Sequence, residues 1–137
     1  MALRERDEQG AAAAVVVLFT LALLAAAGLV IDGGYALGAQ RRAMNSAEQA
    51  ARAGADALDE AALRNGTVRV DPTRADQVAS AYLDAAGVTG SVTAQGDQVT
   101  VTVVIDQDTT LLSAVGVDSI HVEATATATS INETTQP

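Results

Sequence analysis

The sequence predicts an α+β fold: a long N-terminal helix, membrane-spanning and then stalk-like, packed on a small, mainly antiparallel, three-stranded sheet. Three observations predict it. The uncharged apolar run Ala11–Ile31 has the length of a helix that crosses a bilayer. An alanine stripe continues beyond it at spacings of three and four. Residues 98–105 and 120–129 alternate apolar and polar side chains with the strand period of two.

The apolar run AAAAVVVLFTLALLAAAGLVI carries Thr20 as its one polar side chain and is apolar on every face. A buried helix of that length with no polar face is unexpected in so small a domain. The run reads as a permanent anchor, as a secretory signal with an Ala25-Ala26-Ala27 cleavage site, or as a helix processed after Gly10. The leader MALRERDEQG mixes Arg4 and Arg6 with three acidic residues, which disfavours a secretory signal. Arg4 and Arg6 are balanced by Arg41 and Arg42 beyond the run. A short N-terminus kept inside and a longer domain translocated is the preferred orientation.

Asp32-Gly33-Gly34 is a weak point in the helix, but strong helix formers resume from Tyr35 to Arg64. Ala36, Ala39, Ala43, Ala47, Ala50, Gly54, Leu58 and Ala61 form its apolar stripe, and Glu48 and Arg52 make a favourable i,i+4 pair. Asn65-Gly66 closes this helix. Asp71-Pro72-Thr73 starts the next, through Ala86, with Gly87 ending it. A hairpin of Ser91–Gln95 and Gln98–Ile105 turns at Gly96-Asp97. In its second strand Val99, Val101, Val103 and Ile105 face the core, and Thr100 and Thr102 face solvent. Thr110–Val117 reads as a short helix or apolar loop capped by Gly116. A last strand sets Ile120, Val122, Ala124, Ala126 and Ala128 against His121, Glu123 and threonines, and the chain frays from Ser130. The expected organisation is a cytoplasmic leader (1–10), a transmembrane helix (11–31), an alanine-rich amphipathic stalk (32–66), a small exported α/β domain (67–130) and a disordered tail (131–137).

Composition narrows the function. Phe19, Tyr35 and Tyr82 are the only aromatics, too few for the aromatic-lined pocket that a small-molecule substrate or cofactor usually needs. There is no cysteine, hence no disulfide and no thiol chemistry. A net charge of -9 with scattered arginines opposes nucleic-acid binding.

A charged leader ending at Gly10, the small-residue start of the apolar helix, the Asp32-Gly33 step and the helix AMNSAEQAARAGADAL together resemble the TadE/TadG-like proteins of tight-adherence (Flp, type IVc) pilus systems. The strand VTVTVVID, the apolar segment TLLSAVGV and the closing strand SIHVEATATAT extend the resemblance. It implies a pilin- or pseudopilin-like arrangement and a candidate prepilin-peptidase step between Gly10 and Ala11. In cleaved members a Glu stands five residues after the Gly. Here that position is Val15, which places the chain nearer the TadG-like side and argues against cleavage and entry into a filament shaft.

No catalytic constellation is expected. His121 is the only histidine and has no nucleophile to serve. Asp106 and Asp108 lack the Gly and distant Glu of a calcium loop, so no metal is expected. Gly33-Gly34 lacks the Lys-Ser/Thr of a phosphate loop. The sequons at 65–67 and 132–134 match by chance often. Asp32, Gly34 and Gly38 remain as candidate helix–helix or partner contacts. Gly34 and Gly38 are a small-xxx-small pair, and Asp32 either marks the exit into water or pairs with a partner's N-terminus or arginine.

The sequence thus predicts a non-enzymatic, cofactor-free minor pilin, pseudopilin or assembly factor of a Tad/Flp-type pilus or secretion system. It would cross the bacterial cytoplasmic membrane once, with its C-terminal domain outside. Its partners would be the membrane and other pilin-like or Tad subunits met through the N-terminal helix. The alternative is a membrane-tethered extracytoplasmic binding module unrelated to pili.

Overall fold

A computed structural model describes residues 2–131, with side chains from Gly10 onward. Its elements are α1 (Ala2–Ala55), α2 (Glu60–Arg64), α3 (Pro72–Ala86), β1 (Thr89–Gln95), β2 (Gln98–Asp108), a 3-10 turn (Leu112–Val115) and β3 (Ser119–Thr129). The contacts divide the chain into two compact units. One joins α1 up to Tyr35 with Asp108–Ile120; the other joins Ala36–Gln107 with the described residues from His121 to Ile131. The expected tail and the sequon at 132–134 lie outside the described residues, except for Ile131.

The second unit holds the core. Strand order is β1-β2-β3. The hairpin keeps the register the sequence predicts, with Gln95 opposite Gln98 and Val92 opposite Val101. Its two-residue loop has φ 64° at Gly96 and no positive φ at Asp97, the signature of a type II′ turn. Hydroxyl pairs tie β3 to β2 in the antiparallel sense: Thr100 with Thr127 at 2.8 Å and Thr102 with Thr125 at 2.9 Å. Thr100 and Thr102 are therefore half-buried on a shared hydroxyl face rather than facing open solvent.

On the opposite face Val99, Val101 and Val103 are fully buried, joined by Val122 and Ala124. Ile105 is only half-buried. The Ala36–Ala55 part of α1 packs there, burying Ala39, Ala43, Ala47, Ala50 and Ala51 completely. Small side chains let the backbones approach. At Gly54 an added Cβ would stand 3.0 Å from Val99 Cγ1 and 3.2 Å from the Ala75 carbonyl oxygen. The α3 face Ala75, Ala79 and Leu83 completes the core against β1. Asp71 caps α3, accepting from the amides of Thr73 and Arg74, and Pro72 occupies the first turn, where its missing N–H leaves no bond unmade.

Gly90 marks the tightest approach in this core. A Cβ there would meet the Thr102 carbonyl oxygen at 2.5 Å and Leu83 Cδ1 at 2.8 Å. Gly90→Ala is expected to destabilise the fold by about 1–3 kcal/mol, read as a lower denaturation midpoint by circular dichroism in detergent.

The structure corrects two further sequence expectations. The helix expected to run to Arg64 ends at Ala55. Leu58 forms an antiparallel bridge with Val70, the Asp59 amide donates to Arg69, and the Asp71 amide donates to Ala57. This non-local pairing buries Val70 and Ala57 and outweighs the local helix propensity of residues 56–59. Asp59 then caps a separate short helix through the amides of Ala61 and Ala62, and the Asn65-Gly66 stop closes that helix instead. In contrast, Asp32-Gly33-Gly34 causes no break in α1. Lastly, Ser130 is anchored rather than frayed: its amide donates to Asp97 at 2.8 Å and its hydroxyl donates to the Ala55 carbonyl.

Candidate functional site

In the first unit every large apolar side chain from Val15 to Ile31 stands 46–76% exposed on a helix with a mean hydropathy of 2.8 over its most apolar stretch. The helix is long and apolar enough to cross a membrane. So much apolar surface around the whole circumference favours lipid over water as its surroundings. Gly10 and Ala11, the candidate processing residues, are exposed on the helix, and an added Cβ at Gly10 would meet nothing within 4 Å. Gly34 and Gly38 are likewise exposed, with open space where a side chain would stand.

Asp32 has a different setting. It is 1% exposed, the one buried charged residue among those described. Its carboxylate accepts three backbone hydrogen bonds from the β2–β3 connection: Oδ1 from Thr110 N–H at 2.9 Å, and Oδ2 from Leu111 at 2.9 Å and Leu112 at 2.7 Å. These are the unsatisfied donors at the start of the 3-10 turn, where Leu111 occupies the cap position and offers no side-chain acceptor. Asp32 supplies the cap from nearly eighty residues away. Charge-assisted bonds of this kind are each about twice as strong as neutral ones. The carboxylate offered by the sequence to a partner is thus occupied within the chain.

One helical turn earlier, Gly28 makes room for the same connection. It is buried, and a Cβ added to it would stand 3.0 Å from Leu111 Cβ. Gly28 and Asp32, four residues apart, therefore share one helix face and hold Leu111 between a close contact and a hydrogen bond. The larger side chain of Gly28→Leu is expected to displace Leu111. The resulting loss of protection of the Leu111 and Leu112 amides is measurable by hydrogen exchange in micelles. Sequence reasoning missed this clasp. Its one sequence signal is an acidic residue at the end of an apolar run, and its partners are backbone amides that carry no residue signature.

The other candidates stay separate. His121 Nδ1 lies 2.8 Å from Asp106 Oδ1, both exposed, across the β2–β3 pair. Its partner is Asp106 rather than the adjacent Glu123. Among the described residues no group of three or more His, Asp or Glu side chains is placed to hold a metal. Glu48 and Arg52 form the expected pair at 3.5 Å, exposed to solvent. A shallow groove is lined by Arg42, Asn45, Ser46, Thr89 and Asp106.

No curated protein and no solved structure matches the chain. A family model does. Residues 10–57, which hold the apolar run and the alanine stripe, match the Tad family, described as "Putative Flp pilus-assembly TadE/G-like".

Proposed function

We propose that the chain is a non-enzymatic, single-pass component of a Tad/Flp-type pilus or related secretion apparatus, acting as a minor pilin, pseudopilin or assembly factor. The observation that supports it is where the family match falls, on the apolar run and the alanine-faced helix together. In this reading residues 11–31 lie in the bacterial cytoplasmic membrane, residues 1–10 stay inside, and the α/β domain is exported. Gly34 and Gly38, open to close approach, are the helix positions offered to neighbouring pilin-like or Tad subunits.

The test is sequencing of the mature N-terminus together with affinity purification from membranes. A start at Met1 or Ala2 and recovery with other Tad subunits is the expected result for a static assembly component. A start at Ala11 makes it a processed pilin. A start at Gly28, with the domain free in the culture fluid, removes the proposal. Recovery from membranes without any Tad subunit leaves a tethered binding module.

A further inference from the structure

We propose that the β2–β3 connection, residues 109–117, is a second membrane-contact element, seated in the bilayer interface beside the spanning helix. The inference rests on the reading that residues 11–31 cross the membrane, and it names a further surface of the chain that meets lipid. Leu111 packs on Gly28, three residues inside the end of the apolar run. At about 1.5 Å per helical residue, that is roughly 4–5 Å below Ile31. A connection held at that level by Gly28 and Asp32 must enter the lipid interface when the helix spans.

The composition of the connection fits such a site. TTLLSAVGV carries no charge, and Asp108 and Asp118 flank it. Leu111, Val115 and Val117 expose 43%, 67% and 43% of their surface. A bilayer supplies no hydrogen bonds to backbone, so irregular chain enters it only with its polar groups met. Here seven of its amides are met from within. The amides of Thr110, Leu111 and Leu112 go to Asp32. Those of Ala114, Gly116 and Val117 go to carbonyls of the same connection, and Thr109 closes its base on the Asp118 carbonyl at 3.0 Å. The hydroxyls of Thr109 and Ser113 donate to Val117 and Thr110. Asp32 thereby stabilises an apolar turn in a form that lipid tolerates.

Because the chain has no cysteine, single labels report unambiguously. Leu18→Cys, Val115→Cys and Val117→Cys variants of the full chain would each carry a fluorophore, in phosphatidylcholine vesicles bearing nitroxides at shallow or deep acyl positions. The expected result is quenching at position 18 by the deep nitroxide, and at 115 and 117 by the shallow one, several-fold above quenching by aqueous iodide. If 115 and 117 respond to iodide alone while 18 stays deep, the connection is in water and this inference fails, but the spanning helix stands. If 115 and 117 are shielded from both quenchers, a protein partner covers them, and the inference also fails. An iodide-quenched position 18 removes the spanning reading and the inference with it.

Discussion

Asp32→Ala will release the β2–β3 connection from α1. Three backbone donors lose their acceptor together, and Leu111 at the cap position has no side chain to replace it. Each buried donor left without a partner costs about 1–3 kcal/mol, but the turn can open and recover solvent, so the net loss is about 2–4 kcal/mol of local stability. Hydrogen exchange of the full chain in micelles should then show the Thr110, Leu111 and Leu112 amides exchanging roughly a hundredfold faster, since about 1.4 kcal/mol is tenfold. The Val99–Val103 amides of β2, buried in the other unit, should keep their protection. Asp32→Asn retains one acceptor oxygen and should fall between the two. Unchanged exchange in the alanine variant would mean that the carboxylate does not hold the turn.

Ala47→Leu should produce the largest loss in the second unit. Ala47 is fully buried on a face where Ala43, Ala50 and Ala51 are buried as completely, so the helix lies against its surroundings at a separation set by methyl groups. With Ala47 fully buried, three added carbons cannot turn out to solvent and must press on their neighbours. Overpacking of this kind costs about 1–3 kcal/mol, and the alanine-lined, backbone-close site places it at the upper end. Gln49→Leu, on the exposed face of the same helix, should change stability by no more than about 0.5 kcal/mol. Urea midpoints by circular dichroism in detergent compare the two. Equal effects would mean that the alanine stripe is not a packed face.

These two positions also show what the sequence makes legible. Ala47 belongs to a periodic stripe, and Val99, Val101 and Val103 to a strand period, so burial follows from pattern alone. The hairpin turn was legible because Gly96-Asp97 suits a two-residue loop. The end of α1 was not, because Ala55 gives way to a bridge between Leu58 and Val70, and pairing at that separation leaves no local trace. Ser130 looked terminal, yet its two bonds go to Asp97 and Ala55, far away in sequence. The position of Asp32 at the end of the apolar run suits either an exit into water or a contact with a partner, and neither reading identifies the backbone amides that it meets. Backbone amides are present at every residue, so only the fold shows which three meet the carboxylate.

The same clasp explains why an acidic residue can end an apolar run without pairing to a cation. Its charge is met by oriented amides at a turn N-terminus, and that arrangement needs no partner subunit. The alanine stripe, in turn, is buried within the chain itself.

Alkaline extraction of membranes from cells expressing the full chain tests whether the apolar run lies in lipid. The intact chain is expected to stay in the carbonate-washed pellet and to be released only by detergent. Recovery of the intact chain, N-terminal residues included, in the carbonate supernatant would contradict it.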